Sequence, residues 1–361
     1  MKAAFRVDAG TFVGGGHLAR CLTLAKQLRH EGVEDICFLM RAHEGAQFNA
    51  VTESGFELCV LPLQVDSDYS TYDGWVGAKK DQDAKDWVNV LEEKGFSSND
   101  LIVVDHYGLD VEFENYFKRS GYKVCVVDDL VNRQHNCDVL IDQTCGRSAS
   151  EYSDLVPSNA KLLVGSKYCL LREEFSENRL ASLDRRVRLK NTNVVFLNFG
   201  STDPGNVTQN ILMSLEDYLA DNRFRVLVVV GDAYPHISGL KKFLDGSRMS
   251  AELHVSPKSI SELLVESDVA IGAAGSATWE RFCLGIPSVL VKTADNQSDV
   301  ISKVRELGAA VCIDQMGSFD AADLSESLEE VLANYEQIMA ASCELVDGRG
   351  AGRLVSVLLE G

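Results

Sequence analysis

The sequence predicts two α/β domains, each built on a doubly wound parallel sheet. The chain has 361 residues, which exceeds an ordinary single core and is comfortable for two domains. Short runs rich in Val, Ile and Leu recur along it, and helix-length amphipathic segments separate many of them. Near-continuous apolar strands that alternate with helices are typical of parallel sheets covered on both faces.

The apolar runs define the predicted strands in order. In the first half they are Ala3–Val7, Ile36–Met40, Leu58–Leu61, Leu101–Val104, Val124–Val127, Val139–Ile141 and Leu162–Val164. In the second half they are Val194–Phe199, Val226–Val230, Leu253–Val255, Val269–Ile271, Val289–Val291 and Val311–Ile313.

One charged segment without a strand pattern interrupts this alternation, EEFSENRLASLDRRVRLKNTN at 173–193. We therefore place an N-terminal domain at 1–175, a linker at 176–193 and a C-terminal domain at 194–361. Two such domains facing each other would leave a central cleft along the carboxyl ends of their strands, where doubly wound sheets bind ligands.

Composition restricts the class of partner. The net charge is −19, from 35 basic and 54 acidic residues, which disfavours nucleic acid or a membrane surface as a partner. The ten cysteines form no CxxC, and several, such as Cys37 and Cys125, lie in apolar runs. Free thiols in such positions indicate a reducing compartment. No run approaches the length that spans a bilayer, so we expect a cytoplasmic protein.

A glycine-rich loop after the first strand carries a histidine where a helix pattern begins. The loop opens with Asp8 and ends in three glycines, and His17 starts the segment HLARCLTLAKQLR. The positive end of a helix dipole disfavours imidazolium, and neutral imidazole is the form that a general base needs. The alternative is a simple turn and helix start. We predict a catalytic role for His17, with Asp8 orienting either its imidazole or the water, and ligand binding by Gly14, Gly15, Gly16 and Arg20.

A second glycine-rich turn, IGAAGSATWE, follows the strand Val269–Ile271. A strand that ends in such a turn and opens a helix offers free N–H groups to phosphate. Ser276 and Glu280 are four residues apart and share a helix face, so Ser276 could reach a phosphate and Glu280 a ribose diol. A surface glutamate at an ordinary helix start is the alternative. The predicted ligand contacts are Gly275, Ser276, Ala277 and Glu280.

Weaker signals lie at other strand ends. A third loop, with Gly200, Ser201 and Thr202, is compatible with a phosphate or sugar clamp and equally with an ordinary turn. Asp105, Asp128 and Asp142 also close predicted strands, where a carboxylate either faces the cleft or caps the next helix.

The sequence contains neither histidine pairs at metal-ligand spacing nor a Walker A or GxGxxG motif. We therefore expect no metal and no organic cofactor.

Taken together, the motifs resemble one family. They are FRVDAGTFVGGGHLARCLTLA, VVDHYGLD, VVDDLVNRQHNCDVLIDQ, VGSKYCLLREEF, NFGSTDPGNVT, DVAIGAAGSATWERFCLGIPSVLV and ADNQ. In this order they resemble the UDP-2,4-diacetamido-2,4,6-trideoxy-β-L-altropyranose hydrolases of pseudaminic acid biosynthesis, which are related to MurG-like glycosyltransferases.

The resemblance implies a GT-B fold, with UDP held mainly by the C-terminal domain and the sugar facing the N-terminal one. His17 falls on the catalytic histidine of that family, and Tyr107 falls on the tyrosine of its DHY motif. Glu280 matches the ribose-binding glutamate of the MurG-like group, and Asn296 and Gln297 match its sugar-facing polar pair.

The expected reaction is inverting hydrolysis of a UDP-sugar, without a metal, that releases UDP and free sugar. Three alternatives stay open. A MurG-like transferase would pass the sugar to an acceptor. A hydrolysing UDP-sugar 2-epimerase would use a carboxylate such as Asp105 or Asp128 at C2. A nucleotide-sugar sensor would bind without turnover.

Overall fold

The computed structural model describes residues 1–64, 68–314 and 319–360. Its first sheet has seven parallel strands in the spatial order β3-β2-β1-β4-β5-β6-β7. The strands are β1 (Ala3–Val7), β2 (Ile36–Arg41), β3 (Glu57–Leu61), β4 (Leu101–Asp105), β5 (Lys123–Val127), β6 (Val139–Asp142) and β7 (Lys161–Val164).

The second sheet has six parallel strands in the order β10-β9-β8-β11-β12-β13. They are β8 (Val194–Asn198), β9 (Arg225–Val230), β10 (Ser250–Val255), β11 (Val269–Ala273), β12 (Ser288–Val291) and β13 (Val311–Ile313).

Helices separate most successive strands of the described chain, but no α-helix lies between β5, β6 and β7, and three helices follow β13 in succession. The helices are α1 (Gly16–His30), α2 (Phe48–Glu53), α3 (Lys80–Glu93), α4 (Val111–Arg119), α5 (Glu173–Val187), α6 (Val207–Asp221), α7 (Ile237–Gly246), α8 (Ile260–Glu266), α9 (Ala277–Cys283), α10 (Ser298–Glu306), α11 (Ala321–Ala333), α12 (Tyr335–Leu345) and α13 (Gly350–Leu359). Within the described residues, none of these helices has both the length and the apolar character needed to cross a membrane.

Strand alternation explains how both faces of the first sheet are covered. In β1, Phe5 and Val7 enter the core that holds Leu24 and Leu28 of α1. Ala4, which points to the opposite face, belongs to the core that holds Trp87 of α3. Since successive side chains of a strand point to opposite faces, a strand buried on both faces is mostly apolar, and the one charged residue of β1, Arg6, is buried in ion pairs with Asp8 and Asp83. This is why the hydrophobic runs were readable as strands.

All thirteen predicted strands are present, and the predicted class of two doubly wound parallel-sheet units is confirmed. The largest difference in bounds is at β10, which begins at Ser250 rather than Leu253. Its first residues are polar or small and partly exposed, so no hydrophobic run marks them.

The structure divides the chain differently from the sequence-based boundaries. One unit comprises Met1–Arg172 and Arg349–Gly361, and the other comprises Glu173–Gly348. Most of the expected linker is helix α5, which belongs to the second unit and buries Phe175, Ser182 and Arg186. Because the buried face of this helix includes a serine and an arginine, the sequence shows no apolar periodicity there and predicts an exposed segment.

The C-terminal helix α13 belongs to the first unit, although its residues follow the second. Leu354, Val355 and Leu358 enter the same core as Phe5 of β1. Lys123 of β5 donates a hydrogen bond to the carbonyl oxygen of Leu358 at 2.7 Å. The apolar periodicity of this helix reveals that it is buried but not which sheet it covers.

Candidate active site

The order of strands in the first sheet reverses between β1 and β4, which lie side by side. Val7, the last residue of β1, is paired with Asp105, the last residue of β4. Ligands of doubly wound sheets bind at such a reversal, outside the carboxyl ends of the strands. The loop that leads to His17 and the segment that carries Tyr107 therefore start at adjacent points.

The glycine loop after β1 folds back on itself before α1 begins. Gly14 donates from its main-chain nitrogen to the carbonyl oxygen of Gly10 at 2.9 Å, and its φ of +79° is a value that favours glycine. A side chain on Gly15 would meet the amide of Gln47 at 2.9 Å. Helix α1 then starts at Gly16 without a capping side chain, which places His17 in its first turn.

His17 is held by a carboxylate that follows it by 88 residues. Its Nδ1 lies 2.6 Å from Oδ1 of Asp105. The residue is buried, with only 9% of its surface exposed. A carboxylate can only accept a hydrogen bond, so the proton of this ring lies on Nδ1. The lone pair is consequently on Nε2, which can take a proton from a substrate or water.

Arg20, one turn further along α1, fixes the same carboxylate. Its Nε and Nη2 donate to the two oxygens of Asp105 at 2.6 and 2.7 Å, and Nη1 donates to Asp129 at 2.9 Å. Burial alone would raise the pKa of Asp105, but the charge of Arg20 and the contact with His17 outweigh it and hold that pKa well below its usual range. Asp105 therefore remains ionised, as an orienting carboxylate must.

Tyr107 lies beside the candidate base. Its ring meets that of His17 edge-on, with centroids 4.5 Å apart. Burial, and then the negative charge of Asp129, raise the pKa of Tyr107 well above its ordinary value, so the phenol keeps its proton. Tyr72 and Trp75 pack around the same ring, at 5.0 and 6.0 Å between centroids.

The prediction that Asp8 orients the imidazole of His17 is wrong in this structure, and its alternative role towards water stays a prediction. Asp8 accepts hydrogen bonds from Arg6 and from the main-chain nitrogen of Arg41, both at 2.7 Å, and it faces Nε2 of His106 at 3.3 Å. The side chain points into the first unit below the loop, because it sits one residue after β1 and reaches back to a buried arginine. Asp105 occupies the position next to His17 instead.

Two other carboxylates at strand ends have structural partners. Asp128 pairs with Arg133 at 2.8 Å and accepts from Tyr152 at 3.1 Å. Asp142 accepts from the main-chain nitrogen of Thr144 at 2.7 Å and from Arg147 at 2.8 Å. Both stabilise the loops that follow their strands.

In the second unit the strand order reverses between β8 and β11, where Asn198 is paired with Gly272. The loop after β8 begins at Gly200, whose φ is +97° and whose nitrogen donates to the side chain of Asn198 at 3.3 Å. Ser201 and Thr202 follow it and are exposed. The predicted clamp residues therefore stand at the strand reversal.

The glycine turn after β11 lies beside this loop. Helix α9 begins at Ala277, and Ser276 precedes it with an exposed side chain that makes no capping hydrogen bond. Glu280, in the first turn of α9, is half-buried. A side chain on Gly275 would come within 3.8 Å of the amide nitrogen of Gln297.

The third loop of this set follows β12, the next strand of the sheet. The side-chain oxygen of Gln297 accepts from the main-chain nitrogen of Thr293 at 2.8 Å, which fixes the amide near Gly275. The side chain of Asn296 lies outside the described part of the structure, so that prediction is not tested. Three of the loops that the motifs singled out thus meet at one edge of the second sheet.

Sequence reasoning missed the partners of His17. Asp105 was noticed as the end of a strand, but nothing in the sequence linked it to His17 rather than to a cap. Asp129, the second carboxylate after β5, likewise carries no sequence signal that links it to Arg20. The available signal was topological: in a doubly wound sheet the first strand lies beside the fourth, so their terminal residues are neighbours.

The fold defines the class of protein. The two parallel-sheet units have the GT-B fold, as predicted, and the chain is similar to MurG of Acinetobacter baumannii with a TM-score of 0.68, 14% identity and full coverage of both chains. At this identity the likeness establishes the fold alone.

Sequence comparison narrows the resemblance. No protein-family model matches the chain. The chain is 25% identical, over 86% of its length and 98% of the relative, to the UDP-2,4-diacetamido-2,4,6-trideoxy-β-L-altropyranose hydrolase of Campylobacter jejuni. It is 19% identical, over 99% of its length and 98% of the relative, to the spore coat polysaccharide biosynthesis protein SpsG of Bacillus subtilis. The resemblance predicted from the motifs is confirmed by the first of these similarities.

Proposed function

We propose that the protein hydrolyses a UDP-linked diacetamido-trideoxy sugar, UDP-2,4-diacetamido-2,4,6-trideoxy-β-L-altropyranose. The products would be UDP and the free sugar, which supplies pseudaminic acid for flagellin or surface polysaccharide. The observation that carries the proposal is the 2.6 Å contact between His17 and Asp105, which leaves Nε2 as a base. The similarity to the Campylobacter hydrolase supports the choice of substrate.

In the proposed reaction, Nε2 of His17 takes a proton from water while the water oxygen bonds to the anomeric carbon. The bond from that carbon to the phosphate oxygen breaks with its electron pair, and UDP leaves from the opposite face with inversion. Asp105 stabilises the imidazolium that forms. Arg20 acts through Asp105, and Tyr107 shields one side of the imidazole.

UDP binding is assigned to the second unit. Main-chain N–H groups at Gly275, Ser276 and Ala277 would hold the β-phosphate and stabilise the charge that develops on it. Glu280 would accept hydrogen bonds from the ribose. Gly200, Ser201 and Thr202 would hold the other side of the diphosphate, and Gln297 with Asn296 would face the sugar.

The GT-B fold favours a second candidate, transfer of the same sugar to an acceptor. A transferase needs an acceptor before UDP is released in quantity, whereas a hydrolase needs water alone. The epimerase alternative loses support, because Asp105 is engaged by Arg20 and His17 and Asp128 by Arg133 and Tyr152. Both carboxylates are also fully buried.

The test is hydrolysis of the pure UDP-sugar in ¹⁸O-water with EDTA and without acceptor. We expect UDP release, with the label on the anomeric oxygen of the sugar, because water attacks carbon rather than phosphorus. Short reaction times limit exchange of the free anomeric hydroxyl. Label in UDP would overturn the role given to His17, and UDP release only with an acceptor would favour the transferase.

A further inference from the structure

Arg281 of α9 is a buried arginine directly behind the glycine turn. Only 1% of the residue is exposed. Its Nη2 donates to the carbonyl oxygen of Ala273 at 2.7 Å and lies 3.1 Å from the hydroxyl of Thr278. Nε and Nη1 are buried and have no hydrogen-bond acceptor among the described residues.

Other buried arginines show how unusual this is. Arg6, Arg20 and Arg41 each form ion pairs with aspartates at 3.0 Å or less. Arg186, in the same unit as Arg281, lacks a carboxylate within 4.0 Å and has no acceptor for Nε, but it donates to three carbonyl oxygens and a hydroxyl. Within the described ranges, Arg281 has no carboxylate at that distance either, and it reaches fewer oxygens than Arg186, only Ala273 and Thr278.

The position of the guanidinium relates it to the loops at the strand reversal. A side chain on Gly272 would meet Nη1 of Arg281 and the carbonyl oxygen of Asn198, both at 2.6 Å. The cation therefore fills the space that glycine leaves behind the ends of β11 and β8. The turn of Gly275 and the loop of Gly200 begin one to three residues beyond these strand ends.

An unbalanced buried charge is costly to a folded protein unless something neutralises it. Burial lowers the pKa of Arg281 to about 10, with the nearby charge of Glu280 acting in the opposite direction. The group is still a cation at neutral pH. Within the described structure no carboxylate lies within 4.0 Å of this cation, whereas Arg6, Arg20 and Arg41 each have one and Arg186 donates to four oxygens.

We propose that the diphosphate of a bound nucleotide is the counter-ion of Arg281. This inference rests on the proposed function, in which the turn of Gly275 holds UDP. Arg281 acts through its field and through the Ala273 carbonyl rather than by touching the ligand, so it is a positioning residue. It makes the site selective for a nucleoside diphosphate over the uncharged nucleoside and favours departure of UDP.

The test compares UDP and uridine binding to four forms of the full-length protein by calorimetry, with uridine measured by displacement. Arg281→Gln keeps a donor for the Ala273 carbonyl and removes the charge, whereas Arg281→Lys keeps the charge. Arg186→Gln is the matched control, since it removes a buried guanidinium of the same unit at a distance from the turn. We expect Arg281→Gln to weaken UDP binding by about 10- to 100-fold and uridine binding by less than about 2-fold.

The other two variants distinguish the effect of losing the charge from the effect of losing stability. Arg281→Lys should restore most of the UDP affinity, and Arg186→Gln should lower the melting temperature without changing the ratio of UDP to uridine affinity. Equal losses for UDP and uridine in Arg281→Gln, or no loss of either, would overturn the inference alone. A wild-type protein that binds no UDP would overturn the proposed function as well. If Arg281→Gln does not fold, Arg281→Lys provides the test. If that variant binds UDP only as weakly as it binds uridine, the inference is wrong.

Discussion

The two strand reversals of this molecule carry opposite kinds of chemistry. The reversal in the first unit is filled with paired ionisable side chains, with His17, Arg20 and Asp105 all buried and in mutual contact. The reversal in the second unit presents glycine turns and exposed small residues such as Ser201 and Ser276. In the proposed function, one region would fix a proton acceptor and the other would offer main-chain donors.

This difference follows from what each task needs. A base must present one tautomer of its ring, which requires a second charged group in a fixed place and a third group to hold it. Phosphate oxygens accept hydrogen bonds from any N–H group, so main-chain groups of a glycine turn can bind them directly, and the proposed contribution of Arg281 comes from behind the turn. A short local segment can therefore encode the second kind of site, whereas the first kind depends on distant residues.

The strongest test of the comparison targets the base. Replacing His17 with Ala should lower kcat by about 10²- to 10⁴-fold, the usual contribution of a general base. Asp105→Asn should lower kcat by up to about 10⁴-fold, because an amide can donate to Nδ1 and so favours the wrong tautomer. The double variant should be no slower than His17→Ala. UDP release measures all three, and UDP affinity should be nearly unchanged.

His30→Ala is the matched control, since this exposed histidine ends the same helix that His17 begins. It should retain wild-type turnover. If the losses of rate multiply in the double variant, His17 and Asp105 act independently. A near-normal kcat in His17→Ala would show that His17 is not the general base.

The contrast also explains what the sequence could and could not predict. The thirteen strands and the turns at Gly14 and Gly275 are local patterns, and each was placed correctly. The contact of His17 with Asp105 joins residues 88 apart, and it depends on β1 lying beside β4. Asp8, adjacent to the glycine loop in sequence, was the natural local choice and was wrong, because its side chain turns towards Arg6.

The domain boundaries were missed for a related reason. Helix α5 buries Ser182 and Arg186, whose polar atoms are hydrogen-bonded to carbonyl groups of the second unit. Hydrophobic periodicity cannot identify a buried helix face that is made of polar residues. Helix α13 has a clear apolar face, yet periodicity carries no information on which of two sheets will cover it.

A smaller effect is expected at the nucleotide. Glu280→Ala should weaken UDP binding by about 1.5–3 kcal/mol, the contribution of hydrogen bonds to a charged acceptor, with less effect on the chemical step. Titration calorimetry measures the affinity. The matched control is Glu262→Ala, since Glu262 is likewise an acidic residue in the first turn of a short helix of the same unit. Unchanged UDP affinity in Glu280→Ala would mean that Glu280 does not bind the nucleotide.

The smallest expected effect is a difference in acid stability between the two units. The pKa values of Asp8, Asp105 and Asp129 are lowered, since nearby arginines outweigh the effect of burial. A lowered pKa stabilises the folded state above the unfolded value, near 3.9, and this stabilisation is lost as the pH falls. At pH 4 each group should cost about 0.3 kcal/mol, or roughly 1 kcal/mol for the three. Asp142 opposes them, because burial raises its pKa.

Hydrogen exchange at pH 7 and pH 4, corrected for intrinsic rates, measures this difference in the intact protein. Protection in α1 and α4 of the first unit should fall by at least about 5-fold relative to α6 and α11 of the second, because burial also lowers the pKa of His106 and adds to the loss at pH 4. In the second unit the carboxylates with lowered pKa, such as Glu252, are largely exposed and screened. Asp129→Asn removes one titrating group and should reduce the pH effect, whereas Asp184→Asn, at an exposed carboxylate of α5, should not. Earlier loss of protection in the second unit would show that the buried charges of the first do not govern its acid stability. The contrast between the two strand reversals would then be confined to ligand chemistry.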